Sequence, residues 1–431
     1  MKNSQTNSFL FTTFEGGGSV TPVLAVARDL VKRGHSVRVM SDECNRQETE
    51  DAGAEFVAWT RAPSRKGRGR EHDLWREPET DPVQEMRNYL RDQFIGCAKA
   101  QADDLIEELR RKPADLVIAL DLLFGPPLAC EAIGQRHVML SVNINMFPHP
   151  SFIPVGPALS PPRNDEERAM HDEVRAGVNA MLDEQLPALN AARASFGLAP
   201  LAHAVDQLAV APRFLLATSK AFDFAPEVMP DRYAYVGPIL GEPSWADAWK
   251  SPFAGTDKRP LALIAFSTTF QNHAGVTQRV ADAIDGLPMK AVLTLGSLRR
   301  DEINAPENLA IVESAPHNPI LAEADFAIIH GGHGTLMKTL AAGKPMLVIP
   351  HGRDQNDNAL RIVSRGAGLS LPPSATTEEI RAALTRLLSE PSFAQAARAL
   401  GAAVRREVEN SPLISILEEE AEETARVRPA A

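Results

Sequence analysis

The sequence specifies an α/β protein made of two doubly wound parallel-sheet domains facing each other across a cleft. Short β-rich apolar runs alternate with amphipathic helical stretches, and this alternation occurs twice along the chain. A stretch rich in proline and turn residues separates the two runs. The first run opens with a strand at Ser8–Phe14, which Glu15-Gly16-Gly17-Gly18-Ser19 breaks. An amphipathic helix follows from Pro22, with Val23, Val26, Ala27, Leu30 and Val31 on its apolar side and Gly34 at its stop. Ser36–Met40 is the next strand. A strand–loop–helix–strand order implies parallel pairing through a right-handed crossover.

Further strands are expected at Glu55–Trp59, Leu116–Asp121, Val138–Asn143 and Phe214–Ser219. One long helix is expected over Val83–Arg111, because Val83, Met86, Leu90, Phe94, Ala98, Leu105 and Leu109 share a stripe. A second charged helical stretch covers Asn164–Phe196. The arginine-rich segment Arg61–Pro82 reads either as a solvated surface loop or as a mobile loop over an acceptor pocket. Residues 236–260 read as a linker. Beyond it, strands are expected at Leu261–Ser267, Lys290–Gly296, Leu309–Ser314, Phe326–His330 and Pro345–Pro350. Helices are expected at His273–Asp285, Thr335–Ala342, Gln355–Arg365, Thr377–Ser389 and Ser392–Glu409. The expected organisation is a first domain at 1–235, a linker at 236–260, a second domain at 261–410, and a C-terminal helix and tail at 411–431. Ligands of such sheets sit beyond the carboxyl ends of the strands.

Composition excludes several function classes. The 431 residues are 44% hydrophobic and 23% charged, as in ordinary globular proteins, which rules out disorder as the main state. No uncharged apolar stretch reaches the roughly 18 residues of a membrane span, so membrane insertion is not expected. Met1–Asn7 lacks the basic-then-apolar pattern of a secretory signal. The net charge, 45 − 56 = −11, argues against nucleic acid or anionic membrane as a partner. Cys44, Cys97 and Cys130 are widely spaced, form no metal-type pair and suit a reducing cytosol, so a cytoplasmic location is expected. No feature defines an oligomeric state.

The most informative stretch is Phe326-Ala-Ile-Ile-His330-Gly331-Gly332-His333-Gly334-Thr335, where a strand ends in a glycine-rich turn that opens a helix. A helix N-terminus exposes unpaired N–H groups and carries partial positive charge. Glycines let an anion approach that backbone closely, so the turn suits a phosphate or pyrophosphate, with His330 or His333 adding a donor. Downstream, Pro345–Pro350 closes another strand, and His351-Gly352-Arg353-Asp354-Gln355 leads into the next helix. Asp354 and Gln355 together can hold vicinal hydroxyls, as on a hexose. Asp354 and Asn356 also make reasonable helix caps.

The string HGGHGTLMKTLAAGKPMLVIPHGRDQNDNA, from His330 onward, closely resembles the nucleotide-sugar signature of the UDP-glycosyltransferase superfamily, in its bacterial natural-product branch. Ser267-Thr268-Thr269-Phe270 and Ala315-Pro316-His317-Asn318-Pro319 resemble two further blocks of that family. The Gly-rich first loop, Pro22 and Gly34-His35 resemble the start of its acceptor domain. The resemblance implies the GT-B fold and an inverting, metal-independent glycosyltransferase. Such an enzyme moves a hexose from a UDP- or dTDP-sugar to a small, mostly apolar natural-product acceptor. The nucleotide sugar is a co-substrate, and no further cofactor is implied.

Residue by residue, the resemblance puts the pyrophosphate histidine at His330, in one turn with Gly332 and His333, and the helix-start amides at Gly334 and Thr335. It puts the sugar-hydroxyl pair at Asp354 and Gln355, and nucleotide-lining positions at Ser267, Thr268 and His317. Acceptor-side positions fall on Gly17, Gly18, Ser19 and His149.

One departure concerns the general base. Many family members carry a His-Gly-His-x-x-Pro-like first loop, and aligning on Pro22 puts Gly17 and Ser19 at those histidines. Glu15 is the nearest titratable side chain and the first candidate for the base; Asp121, at the end of its strand, is the second. His149 is a third, and an amine, thiol or acidic acceptor needs no strong base. Two alternatives remain open. Gly16-Gly17-Gly18 with Pro22-Val-Leu-Ala-Val-Ala also resembles a GT-B N-acetylglucosaminyltransferase with a lipid acceptor, although no basic amphipathic helix stands out. The missing loop histidine would also suit a non-catalytic nucleotide-sugar-binding helper protein.

Overall fold

The computed structural model describes residues 6–16, 18–74, 81–242, 244 and 249–427. The first half of the chain runs β1 (Ser8–Thr12), α1 (Val20–Lys32), β2 (Ser36–Ser41), α2 (Arg46–Asp51), β3 (Glu55–Ala58), α3 (Pro82–Tyr89), α4 (Ala98–Arg111), β4 (Leu116–Leu120) and α5 (Gly125–Ile133). It continues through β5 (His137–Ser141), α6 (Asp165–Asp183), α7 (Leu186–Ser195), β6 (Phe214–Leu216) and β7 (Tyr233–Tyr235). These strands form one seven-stranded sheet in the order β3-β2-β1-β4-β5-β6-β7, parallel throughout.

The second half runs β8 (Leu261–Ala265), α8 (Ala274–Ile284), β9 (Lys290–Thr294), β10 (Leu309–Val312), α9 (His317–Glu323), β11 (Phe326–Ile329), α10 (His333–Ala341) and β12 (Met346–Val348). It ends with α11 (Gln355–Ser364), β13 (Gly368–Ser370), α12 (Thr377–Ser389), α13 (Pro391–Glu409) and α14 (Leu413–Val427). Its six-stranded sheet, β10-β9-β8-β11-β12-β13, is also all parallel. Strands β4, β5 and β8 are buried along their whole length, as expected of parallel strands covered on both faces. Each sheet reverses strand order at its first strand, so each has a switch-point crevice at its carboxyl edge. The fold is GT-B. Among the described residues no helix is long and apolar enough to cross a membrane.

Two expectations need correction. The Val83–Arg111 helix is interrupted: α3 passes into a π-helical turn at Leu90–Phe94, and the chain bends before α4 begins. Gly96 marks the bend, because a Cβ there would stand 2.1 Å from the Arg91 carbonyl oxygen. The Asn164–Phe196 stretch is two helices, α6 and α7, with Pro187 in the first turn of α7, where its missing N–H costs nothing. The C-terminal helix α14 returns to the first domain, where Leu413, Leu417 and Ala421 join the core around β1 and β4. Arg33 and Arg136 hold it there through Glu418 and Glu420.

The domains meet along a polar seam. His333 reaches Thr218, Arg361 pairs with Asp223, and the Gly156 N–H donates to Asp357. Ile144 and Phe222 of the first domain pack into a second-domain core cluster.

Candidate active site

The donor side is built where β11 ends. His330-Gly331-Gly332 turns the chain into α10, and Gly331 has φ +94°. A Cβ at Gly331 would lie 2.9 Å from Val348, and one at Gly332 would lie 2.4 Å from His330 Nε2, so both positions need glycine. Gly332 caps α10 without a side-chain hydrogen bond. The first-turn N–H groups of His333, Gly334 and Thr335 therefore have no intrahelical partner, which is how a helix start receives an anion. The His330 ring is buried beside this turn, its Nδ1 3.5 Å from the Ala265 carbonyl oxygen. Burial pushes its pKa down to about 3.

His333 is placed differently from the sequence expectation. Its Nε2 lies 2.8 Å from Thr218 Oγ1 and its ring packs edge-on against Phe222. The imidazole is spent on the domain seam, and only the backbone amide of His333 remains for an anion.

The other expected donor residues gather around this turn. Ser267 Oγ lies 2.9 Å from Thr269 Oγ1, and Ser297 donates to the Ser267 carbonyl oxygen, which ties the loop after β8 to the loop after β9. Thr268 lines the interdomain cavity. His317 opens α9 with Nε2 3.4 Å from Thr294 Oγ1, and burial pushes its pKa down to about 3. Asp354 occupies the N-cap position of α11 without capping it; its Oδ2 accepts from the Asn358 amide at 2.7 Å. Gln355 accepts from the His351 N–H at 2.7 Å and donates to Gln271 at 3.0 Å.

Arg353, beside that pair, was not singled out from sequence. It has φ 56°, and its guanidinium reaches Thr269, Glu85 and Tyr89 at 3.2–3.3 Å, bridging the two domains. A cation next to Asp354 was visible in the sequence, but its partners were not.

On the acceptor side, Glu15 follows β1 and its N–H donates to Asp42 Oδ2 at 2.8 Å. Burial pushes Asp42 up to about 6. Glu15 Oε2 lies 3.6 Å from Arg68 Nε, and Arg68 also pairs with Glu48. A cavity of about 210 Å³ lies between the domains, and Glu15 and Arg68 line it together with Thr268, Thr269 and Phe270. The part of the Arg61–Pro82 segment that is described packs on the cleft: Arg65 donates to Asp42 and lines the same cavity. Behind Glu15 the first-domain wall is backed by rings: buried Phe14 meets buried Phe94 edge-on at 5.3 Å, and the half-buried Tyr89 stacks on Phe94 at 5.5 Å.

Asp121 follows β4 and is fully buried, with neither carboxylate oxygen in a good hydrogen bond. Burial raises its pKa to about 7, against the opposing pull of the Ser141 hydroxyl. Ser19 is buried at the N-cap position of α1 without a side-chain cap bond, and the Gly18 N–H donates to the Gly16 carbonyl. Gly17 lies outside the described residues. His149 is not among the residues lining the cavity; it packs against Phe152 and Tyr233, and burial lowers its pKa. Among the described residues no group of acidic, histidine or cysteine side chains has the geometry to hold a metal ion.

Two Rossmann-like domains whose strand ends confront each other, one presenting an anion-receiving helix start and the other carboxylates, define a glycosyltransferase of the GT-B class. Residues 278–418 match the family described as erythromycin biosynthesis protein CIII-like, C-terminal domain. The NDP-glycosyltransferase YjiC of Bacillus subtilis (strain 168) is 31% identical over 369 residues, covering 84% of this chain and 83% of the relative. The 4'-demethylrebeccamycin synthase of Lentzea aerocolonigenes is 26% identical over 395 residues, covering 89% and 92%. The glycotransferase of kitacinnamycin shares the fold with a TM-score of 0.76 at 21% identity, covering 97% of this chain and 99% of that one. The chain belongs to the nucleotide-sugar-dependent glycosyltransferases, the family of that NDP-glycosyltransferase. It is an enzyme of glycosyl transfer.

Proposed function

We propose that the enzyme moves a hexose, with inversion and without a metal, from a UDP- or dTDP-sugar to a small, mostly apolar acceptor. The observation that carries this reading is the cavity shared by Glu15 and the donor-side loop at Thr268–Phe270. Single displacement needs a base on one side of the anomeric carbon and the departing diphosphate on the other, and the two domains supply these from opposite walls. The acceptor oxygen attacks the anomeric carbon as Glu15 takes its proton. The bond from that carbon to the diphosphate oxygen breaks, and the electron pair leaves with the diphosphate. The start of α10 and the His330 imidazole meet that charge, a role a divalent cation would otherwise fill. Gln355 and Asp354 would orient the sugar hydroxyls. The half-buried Tyr89 ring, beside Arg353 of the facing domain, supports an acceptor with an apolar face. The free thiols Cys44, Cys97 and Cys130 support a reducing, cytoplasmic location.

Asp121 is the second candidate for the base, favoured by its orphaned oxygens and a pKa of about 7. Its complete burial leaves Glu15 the better placed of the two. The test is incubation of the α-linked donors UDP-glucose and dTDP-glucose with a phenol panel in the presence of EDTA. The proposal expects a β-linked glucoside. An α-linked product would overturn inversion, loss of turnover restored by a divalent cation would overturn metal independence, and failure even to hydrolyse the donor would favour a non-catalytic role.

A further inference from the structure

Three imidazoles meet at the carboxyl edge of the second sheet, and His330 is one of them. His273 closes the loop after β8, and His351 follows β12. The His273 ring lies 6.0 Å from His330 and 4.4 Å from His351, the latter nearly perpendicular at 84°. A carbonyl oxygen only accepts, so a ring nitrogen facing one carries the proton. His351 Nδ1 lies 2.9 Å from the Ile349 carbonyl oxygen, and His330 Nδ1 faces that of Ala265. In each neutral ring Nε2 is therefore left as a lone pair. His273 is 1% exposed, and neither of its ring nitrogens has a hydrogen-bond partner. The charged groups bearing on the three rings are cationic: Arg353 on His273 and His330, and Arg279 on His351. Buried, orphaned nitrogens in a cationic surround fit an anion that brings oxygen acceptors.

We propose, on the reading that a nucleotide sugar's diphosphate occupies this edge, that His273 and His351 complete a three-histidine cradle for it and that donor binding draws a proton into the cradle. Phosphate oxygens have no proton to offer, so the Nε2 lone pair of His330 cannot meet one until it is protonated. Burial keeps the empty trio neutral, with His273 pushed down to about 2 and His330 to about 3. A diphosphate raises these values, so the bound state holds a proton that the free state lacks. Donor affinity therefore weakens as pH rises, by up to about tenfold per pH unit for one linked proton. During transfer the proton stays on the cradle opposite the growing charge of the leaving diphosphate, and it departs when the nucleotide is released.

The test is titration calorimetry of UDP-glucose and dTDP-glucose at neutral pH, without acceptor, in buffers of different ionisation enthalpy. The diphosphate of a nucleotide sugar does not titrate near neutrality, so buffer-dependent heat reports the protein's protons. The wild-type protein is expected to show net proton uptake. The His273→Phe and His351→Gln variants are expected to bind the donor with reduced uptake and a flatter dependence of Kd on pH. Binding without uptake in the wild type would overturn the proton coupling and leave the donor assignment intact. Uptake unchanged in both variants would overturn the roles of His273 and His351. Absence of donor binding in the wild type would overturn the donor reading, and the cradle with it.

Discussion

His330 and Glu15 stand on opposite domains, and each makes a separate prediction. On the proposed function His330 stabilises charge that grows only as the sugar departs. Replacing it with alanine should lower kcat by ~10²–10³-fold while donor affinity changes less, as steady-state kinetics over both substrates would show. Full turnover by His330→Ala would place the diphosphate elsewhere. A carboxylate base works only when ionised, so activity should rise with pH through its pKa. Glu15→Gln should remove that rising limb and Asp121→Asn should keep it. A limb centred near pH 7 that vanishes only in Asp121→Asn would move the role to Asp121, whose pKa is about 7. The glycine turn into α10 was legible from sequence because strand, turn and helix start are contiguous from Phe326 to Thr335. Arg353 and His273 were not, because their neighbours come from distant segments: Arg353 meets Thr269 across 84 positions and Glu85 across 268. The side-chain role of His333 was misread for the same reason, since Thr218 lies 115 positions away.

At the scale of elements, periodicity located most strands and helices to within a few residues. It did not see β7 or β13, whose Tyr-Ala-Tyr and Gly-Leu-Ser lack the apolar run that marks the equally short β6 and β12, Phe-Leu-Leu and Met-Leu-Val. It also joined α3 to α4, since one apolar stripe runs through both segments while the bend depends on the space beside a single residue, Gly96. That bend carries Phe94, which with the stacked Tyr89 ring backs the first-domain wall behind Glu15. Gly96→Ala would force a Cβ against backbone and should destabilise the fold by ~1–3 kcal/mol, measurable by urea denaturation. The same substitution should raise KM for the acceptor more than for the donor. Unchanged stability and KM would mean that the bend can relax without disturbing the wall. The docking of α14 on the first domain was equally invisible, because an amphipathic helix declares that it has an apolar face but not what covers it.

At the scale of the whole molecule, the seam fixes how the two strand edges face each other. Arg361–Asp223 is buried on both sides, and His333–Thr218 ties the start of α10 to the first domain. On the proposed function the sugar lies between the start of α10 and Glu15, which lines a cavity together with Thr268 and Thr269 of the second domain. The most direct measurement is a crystal structure of the protein grown with UDP or dTDP. Phosphate oxygens should lie within hydrogen-bonding distance of the Gly334 and Thr335 N–H groups and of His330, facing the wall that carries Glu15. A nucleotide seated elsewhere, with the turn at 330–335 unoccupied, would contradict the assignment of the site.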